Sequence, residues 1–234
     1  MSGQSSSVKL PRFNRRLFIA LLLFIAGLCL FFSIYNSLHT GGGIAQFDDA
    51  VQQLTARYSH PVLTTTMHVI TNLLAPFTLG IVTIVGAIIW IKHTKELWRP
   101  GLLATGMGMA YATSFIVKSL TGRTRPSSTS SILPFESSYS FPSGHVLALT
   151  TFVLVLGYLL YSRAPSRKYL TIWISSAVGG IILIAFSRLY LDFHWLTDVS
   201  ASVGLALTIL AVIMTIDYFK PQLKHGTQLF SYKR

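Results

Sequence analysis

Long apolar runs alternate with short polar segments along most of the 234 residues. Six of these runs approach the ~20 residues that an α-helix needs to cross a hydrocarbon core about 30 Å thick. The pattern therefore predicts an all-α integral membrane protein, built as a bundle of six transmembrane helices. The predicted spans are Leu17–Tyr35, Leu73–Ile91, Gly101–Val117, Gly144–Tyr161, Tyr169–Phe186 and Val199–Ile216.

The spans define one predicted membrane domain, residues 17–218, between an N-terminal segment, residues 1–16, and a C-terminal tail, residues 219–234. The first span follows a cluster of arginines, as the apolar core of a signal peptide does. Its apolar core is longer than that of a signal peptide, and no small-residue cleavage site follows it. We therefore expect this span to be a retained helix.

The linker after the first span has an amphipathic pattern of its own. Its apolar residues recur at helical spacing, and its polar residues fall on other faces. We predict a short helix that lies in the membrane interface and buries the apolar stripe there. Packing of the same helix on the bundle is the alternative. The stripe is Ile44, Phe47, Val51 and Leu54, and the polar residues are Asp48, Asp49, Gln52 and Gln53.

Small residues recur along the third predicted span at four-residue spacing. Such residues let helix backbones approach closely in a bilayer, where lipid offers no hydrophobic drive for association. We therefore expect the third span to lie at the centre of the bundle. The residues are Ala104, Gly106, Gly108, Ala110, Ala112 and Ser114.

Only 11% of the residues are charged, whereas a typical soluble domain has about a quarter. The formal net charge is +12, but the basic residues form short clusters between apolar runs, which is typical of membrane topology. We expect the bilayer as a partner, and neither nucleic acid nor an obligatory protein partner. The one cysteine, Cys29, lies inside an apolar run, which excludes a disulfide framework.

Fourteen of the 19 lysines and arginines fall in segments that share a side with the N-terminus. Because cytoplasmic loops carry an excess of Lys and Arg, both termini are predicted to be cytoplasmic in a multi-pass protein of the plasma membrane. The other five basic residues are predicted to lie outside, and most of them fall in two outer loops. They are Arg57, Lys118, Arg123, Arg125 and Arg188.

Three short segments hold most of the polar functional groups on the predicted outer side. Residues 118–126 follow the third span, residues 142–145 open the fourth span, and residues 187–198 join the fifth span to the sixth. Since the spans have these ends on one face of the bundle, we expect the three segments to converge at an extracytoplasmic site.

The residues of these segments suit a phosphoryl group. Lys118, Arg125 and Arg188 supply fixed positive charge for its oxygens, and arginine adds forked donors. Ser143 and Gly144 stand where a helix begins, and the backbone N–H groups there favour an anion. Each residue alone is explained by topology or helix capping. Their coincidence on one membrane face predicts a phosphate-binding site.

Two histidines suit the transfer of that group. His194 and Asp198 are four residues apart, so one helical turn would bring them to the same face. An aspartate that accepts the Nδ1 proton leaves Nε2 able to attack phosphorus. His145 is expected to protonate the departing alkoxide. No cysteine or tight histidine cluster supplies metal ligands, so we expect no metal and no other cofactor.

The three segments resemble the signature of the type 2 phosphatidic acid phosphatase superfamily, which is Lys-x6-Arg-Pro, Pro-Ser-Gly-His and Ser-Arg-x5-His-x3-Asp. Every specified position is matched, from Lys118 through Asp198. The six spans and short loops are similar to the bacterial membrane branch, which includes phosphatidylglycerophosphate phosphatases and undecaprenyl pyrophosphate phosphatases. The resemblance implies a membrane phosphatase that acts on a lipid.

The resemblance also implies roles for individual residues. His194 is the expected nucleophile, Asp198 its orienting partner and His145 the general acid. The residues expected to bind the phosphate are Lys118, Arg125, Ser143, Gly144 and Arg188.

The leading hypothesis is hydrolysis of a lipid phosphate monoester, such as phosphatidylglycerol phosphate or phosphatidic acid, through a phosphohistidine. Hydrolysis of undecaprenyl pyrophosphate and transfer of phosphate to another lipid are alternatives that use the same residues. A non-catalytic anion carrier would leave the His194–Asp198 pair without a role. The preferred substrate charge also depends on Asp192, which is expected to repel an anionic head group or to pair with Arg123 or Arg188.

Overall fold

The computed structural model describes residues 14–126, 138–162 and 166–231, with side chains up to residue 220. Residues 1–13 of the predicted N-terminal segment and residues 232–234 of the predicted tail lie outside the described residues. Within the described ranges the chain forms eight α-helices, and the 3₁₀ helix Gly43–Phe47 joins the first two. The helices are α1 (Arg15–Thr40), α2 (Asp48–Arg57), α3 (Pro61–Leu73), α4 (Pro76–Thr94), α5 (Trp98–Thr121), α6 (Gly144–Tyr161), α7 (Arg167–Tyr190) and α8 (Leu196–Ser231).

Six of the described helices are long and apolar enough to cross a bilayer, namely α1, α4, α5, α6, α7 and, as far as Lys220, α8. This confirms the predicted fold class of an all-α membrane protein with six spans. The second span begins at Pro76 and not at the predicted Leu73. The residue before a proline disfavours helical backbone, so Ala75 is extended (φ −61°, ψ 148°) and Pro76 opens α4.

The sequence patterns do not predict α3. The segment is rich in β-branched residues such as Thr64 and Thr66, which lower helix propensity. Packing compensates, because Met67 belongs to a small apolar cluster with Tyr190 at the end of α7. The Tyr190 hydroxyl also lies 3.1 Å from Oγ1 of Thr64. The contact fixes α3 against the last turn of α7.

The most deeply buried span is α8. In its most apolar stretch 56% of the residues are buried, compared with 44% in α6 and 33% in α5. The third span, α5, which is expected to be central, is thus less buried than α8 and α6. One reason for the burial of α8 is its close contact with α1. A Cβ built on Gly27 of α1 would lie 2.5 Å from the carbonyl oxygen of Gly204 in α8. Small residues on these two helices let the backbones touch.

Helix α2 packs on the bundle through a polar face. Asp48 and Thr55 are buried, whereas Phe47 and Leu54 of the predicted apolar stripe are 52% and 53% exposed. Asp48, one of the polar residues predicted to lie off the apolar stripe, is buried because its carboxylate accepts hydrogen bonds from Thr197 at the start of α8. Phe47 and Leu54 lie on the outer face, where the predicted interfacial position would bury them.

Four helix ends meet where the three motifs lie. Helix α5 ends before Gly122, which takes the left-handed conformation (φ 58°) that closes many helices. Helices α6 and α8 begin at this end of the bundle, and α7 ends there. Because α7 continues past the predicted end at Phe186, Ser187 and Arg188 belong to its last turns. Only residues 191–195 form the loop between α7 and α8.

Candidate active site

Hydrogen bonds join the first turns of α6 and α8. The backbone N–H of Ser143 donates to the carbonyl oxygen of Asp198 at 3.3 Å. The hydroxyl of Ser202 donates to the carbonyl oxygen of Ser143 at 3.0 Å. The structure therefore brings the second and third motifs into contact.

His194 and Asp198 form a buried pair. Nδ1 of His194 lies 3.2 Å from Oδ2 of Asp198, and their side chains are 1% and 0% exposed. The sequence predicts that one helical turn brings the two residues to the same face. In the structure His194 precedes α8, and only Asp198 lies in the helix. Oδ2 of Asp198 also accepts the backbone N–H of Trp195 at 3.0 Å. An acid in the first turn that reaches back in this way is half of a capping box, so the helix start fixes the carboxylate.

Arg125 reaches the other ring nitrogen of His194. Its Nη1 donates to the carbonyl oxygen of Phe193 at 2.6 Å and lies 3.3 Å from Nε2 of His194. A guanidinium can only donate, so the Nε2 atom that faces it holds a lone pair. Nδ1 then carries the proton that Asp198 accepts. The arrangement favours the tautomer in which Nδ1 is protonated and Nε2 keeps its lone pair.

Lys118 and Arg125 converge on Ser138. Nζ of Lys118 lies 3.3 Å from Oγ of Ser138, and Nη2 of Arg125 donates to the same oxygen at 3.1 Å. Nζ also donates to the carbonyl oxygen of Tyr139. Two positive charges at one hydroxyl repel each other, and a bound anion would offset that repulsion. The first motif thus offers a cationic site beside His194.

Arg188 is buried in the protein, with 1% of its surface exposed. Its Nη1 donates to Oγ1 of Thr71 at 3.1 Å, and its guanidinium carbon lies 4.2 Å from the centre of the Phe193 ring. The backbone N–H of His194 donates to the Arg188 carbonyl oxygen at 3.3 Å, which fixes the loop to the end of α7. The structure therefore adds α3, through Thr71, to the three motifs.

His68 of α3 also lies near Arg188. Burial, and then the positive charge of Arg188, lower the pKa of His68 below its usual value of 6.5. Its Nε2 is buried and has no hydrogen-bond partner within the described residues. The ring meets Phe193 edge-on, with centroids 6.3 Å apart. His68 is therefore neutral near pH 7 in the folded protein.

The start of α6 offers several donors. Ser143 is the N-cap residue, with extended backbone (φ −71°, ψ 110°). Its hydroxyl oxygen is buried and makes no hydrogen bond within the described part of the chain. A buried polar group without a partner costs about 1–3 kcal/mol, so this hydroxyl is a candidate ligand donor. Gly144 follows, and a Cβ built on it would lie 3.3 Å from Oγ of Ser114, so there is little space for a side chain. His145 is the second residue of α6 and is partly exposed.

Two charged residues at the site are absent from the predicted set. Arg123 donates from Nη1 to Oδ1 of Asp198 at 2.6 Å and from Nη2 to Oδ2 of Asp48 at 2.8 Å. The sequence points to Arg123 because it is one of the five basic residues predicted to lie on the outer side of the membrane. Nothing in the linker pattern separates Asp48 from Asp49. Among the described residues, no three His, Cys, Asp or Glu side chains are grouped so that they could hold a metal ion.

Asp192 lies in the loop between α7 and α8 with a left-handed backbone (φ 55°). Aspartate tolerates this conformation better than most residues with a Cβ. Burial raises the pKa of its carboxyl, and a hydrogen bond to Gln52 of α2 offsets part of that effect. Its side-chain partner is thus Gln52. The alternative in which it pairs with Arg123 is wrong, because Arg123 pairs with Asp48 and Asp198.

A comparison with protein families identifies the class of this site. The model of the PAP2 superfamily matches residues 99–221, which are more than half of the chain and include all three motifs. The chain therefore belongs to the PAP2 superfamily, as the resemblance of its motifs predicts. It is a multi-pass membrane phosphatase of that superfamily.

Two matches, one by sequence and one by structure, come from Bacillus subtilis. The chain is 28% identical over 193 residues to phosphatidylglycerophosphatase B of strain 168, and the match covers 81% of this chain and 93% of that protein. It is also similar to the crystal structure of a transmembrane PAP2 type phosphatidylglycerolphosphate phosphatase, with a TM-score of 0.72 and 24% identity. That match covers 87% of this chain and 98% of the other, and it supports the six-span fold.

Proposed function

We propose that this protein is a membrane lipid phosphatase that hydrolyses a lipid phosphate monoester, of the phosphatidylglycerol phosphate or phosphatidic acid type, through a phosphohistidine intermediate. The observation that carries the proposal is the environment of His194. Its Nδ1 faces Asp198 at 3.2 Å, and its Nε2 faces Arg125 at 3.3 Å. A buried carboxylate orients one nitrogen, and a cation suited to phosphate lies beside the other. Residues 17–218 are the proposed phosphatase domain.

In the first step, Nε2 of His194 attacks phosphorus, and the bond between phosphorus and the lipid oxygen breaks. Asp198 stabilises the positive charge that develops on the ring, because Nδ1–H donates to its carboxylate. His145 starts protonated and gives its proton to the departing lipid alkoxide. The products of this step are phosphohistidine and a lipid alcohol.

In the second step, neutral His145 takes a proton from a water molecule, and the water oxygen attacks the phosphohistidine. The bond between Nε2 and phosphorus breaks, and inorganic phosphate leaves. His145 regains the proton that it lost, so both histidines return to their starting states. Two histidines with opposite starting protonation states suit acid–base chemistry near neutral pH.

The charge of the phosphoryl group is met by Lys118, Arg125 and Arg188 in this proposal. The Ser143 hydroxyl and the backbone N–H groups that begin at Gly144 are further donors. In many phosphoryl-transfer enzymes metal ions neutralise the same charge. Here three cationic side chains would neutralise that charge, so we expect activity without a metal ion.

The name of the relative phosphatidylglycerophosphatase B supports phosphatidylglycerol phosphate as the first substrate to test. Hydrolysis of undecaprenyl pyrophosphate and transfer of phosphate to another lipid remain alternatives with the same residues. All three place a polar head at the end of the bundle and leave the tail in the bilayer. By the charge rule, this end is extracytoplasmic in the plasma membrane and both termini are cytoplasmic.

The test is phosphate release by the purified protein in detergent, from phosphatidylglycerol phosphate, phosphatidic acid and undecaprenyl pyrophosphate, with and without EDTA. We expect release from a monoester that persists in EDTA and is abolished in His194→Ala. Asp49→Asn, at an exposed carboxylate of α2, is the control variant and should keep wild-type activity. Release from undecaprenyl pyrophosphate alone would mean that the substrate is a lipid pyrophosphate and not a monoester. No release from any lipid would overturn the proposal.

A further inference from the structure

The two carboxylate oxygens of Asp198 have different partners. Oδ2 accepts from His194 and Trp195, whereas Oδ1 accepts from Nη1 of Arg123 at 2.6 Å. The Arg123 side chain is 21% exposed and that of Asp198 is fully buried. A charge-assisted hydrogen bond with so little competing water is strong. Arg123 therefore stands directly behind the carboxylate that orients His194.

Asp48 holds Arg123 from the opposite side. Nη2 of Arg123 donates to Oδ2 of Asp48 at 2.8 Å, and its guanidinium carbon lies 5.2 Å from the centre of the Trp195 ring. A guanidinium presents donors in a planar fork, so one arginine can bridge two carboxylates in a fixed geometry. The ammonium group of a lysine is a point charge without that fork. The contacts to Asp48 and Asp198 thus use the planar fork that distinguishes arginine from lysine.

Asp48 also caps α8. Its Oδ1 accepts the backbone N–H of Thr197 at 3.0 Å, and its Oδ2 accepts the Thr197 hydroxyl at 2.7 Å. The first N–H groups of a helix have no partner within the helix, and the helix dipole favours a negative charge there. A residue of the first loop therefore fixes the helical turn that contains Asp198.

We propose that Asp48 and Arg123 are positioning residues for catalysis, in which Asp48 holds Arg123 and Arg123 holds the Asp198 carboxylate that orients His194. The proposal rests on the function proposed above, in which His194 is the nucleophile. His194 lies in a loop, so its orientation depends on its contacts and not on a helix of its own. Neither positioning residue contacts the substrate in this account. Both act on the chemical step.

Loss of either residue should lower kcat and leave KM close to the wild-type value. The partners that orient metal-bound histidines are worth about 10–100-fold in activity, and we expect losses of that size for Arg123→Gln and Asp48→Asn. Arg123→Lys keeps the charge without the fork and should lose less than Arg123→Gln. Asp49→Asn, the neighbouring exposed carboxylate, is the matched control.

The pH profile separates positioning from a purely structural role. His194 must be neutral to attack, so kcat/KM falls in acid. Arg123→Gln removes a positive charge beside Asp198 and favours the imidazolium of His194, which moves the acid limb to higher pH. Asp48→Asn removes a negative charge and moves the limb to lower pH. The other charged and titratable groups of the site are kept in both variants: Asp198 and Arg125 at the ring, and Lys118, His145 and Arg188.

The experiment measures phosphate release from the best lipid phosphate by the full-length purified protein, together with Tm on the same samples. Lower kcat with opposite shifts of the two acid limbs supports the proposal. Wild-type kcat in both variants overturns it, and so does a loss that follows Tm while neither limb moves.

If one of these variants does not fold, Thr197→Val takes its place. This change removes only the hydroxyl that donates to Asp48 and accepts from Nη1 of Arg123 at 2.6 Å. A lower kcat at unchanged KM supports the proposal, and a wild-type kcat overturns it. A wild-type protein that releases no phosphate from any lipid would instead overturn the proposed function, whichever way the variants behave.

Discussion

Nδ1 of His194 lies 3.2 Å from Oδ2 of Asp198, although the two residues belong to different elements. His194 lies in the loop before α8, and Asp198 lies in the first turn of that helix. The N–H of Trp195 donates to the same oxygen at 3.0 Å, so the carboxylate also caps the helix. The start of a rigid helix therefore aligns a side chain that the loop alone would leave mobile. In the proposed mechanism the proton transfer to the leaving group belongs to His145.

His145→Ala should lose activity to an extent that depends on the leaving group. A lipid alkoxide needs a proton to depart, whereas p-nitrophenolate hardly does. General-acid help is worth about 10²–10⁴-fold, so we expect a loss of that size on a lipid phosphate and a clearly smaller one on p-nitrophenyl phosphate. The measurement is kcat of both proteins on both substrates. Equal losses would assign His145 to phosphate binding and not to proton transfer.

Acid should destabilise the protein partly through His68. Because burial and Arg188 lower the pKa of His68, the unfolded chain takes up a proton below about pH 6.5 while the folded protein does not. The stability from this group is present above that pH and is lost as pH falls toward the lowered pKa. His68→Phe keeps a ring against Phe193 and removes the titrating group, so it should flatten the fall of Tm between about pH 7 and pH 5. The same pH dependence of Tm in both proteins would contradict this account.

The contact between α1 and α8 leaves no room for a side chain at Gly27. A Cβ there would lie 2.5 Å from both the Gly204 carbonyl oxygen and the Thr208 hydroxyl oxygen. Gly27→Ala should therefore cost about 1–3 kcal/mol of stability through overpacking. Gly86→Ala in α4 is the control, because its Cβ would meet nothing within 4 Å. Thermal unfolding in detergent should give a lower Tm for Gly27→Ala alone, and equal Tm values would mean that the two helices are not in contact here.

The distribution of basic residues predicts that Gln53 lies outside the cell and His93 inside. Both positions are exposed. In a Cys29→Ala background, Gln53→Cys and His93→Cys give two proteins with one cysteine each. An impermeant maleimide should label only Gln53→Cys in intact cells and both proteins once the membrane is opened. Labelling of His93→Cys alone in intact cells would show that the protein has the opposite orientation.

Most of the fold can be predicted from the sequence because a bilayer restricts the chain to helices of a minimum length. The fourth span, Gly144–Tyr161, has the predicted bounds. Helix α3 escapes prediction because it is too short for a span and rich in β-branched residues. Its stability depends on Tyr190, which is far away in the sequence. Hydropathy carries no information about such a contact.

The same distinction holds within the candidate site. His194 and Asp198 are predictable because they lie close together in one motif. Arg123 and Asp48 are not, since each is defined by partners on other elements. No local pattern tells whether Asp48 or Asp49 faces α8. That choice follows from the position of Thr197 in the folded bundle.

The central claim is that His194 carries the phosphoryl group, and trapping of the intermediate tests it most directly. His145→Ala is the best protein for the trap, because p-nitrophenolate leaves without an acid whereas hydrolysis of the intermediate lacks its base. The protein is mixed with radiolabelled p-nitrophenyl phosphate, denatured at alkaline pH and digested, and the labelled peptide is identified by mass spectrometry. The account predicts an acid-labile phosphate on His194 and no label when His194→Ala is added to the same protein. Label on another residue, or label that persists without His194, would contradict it.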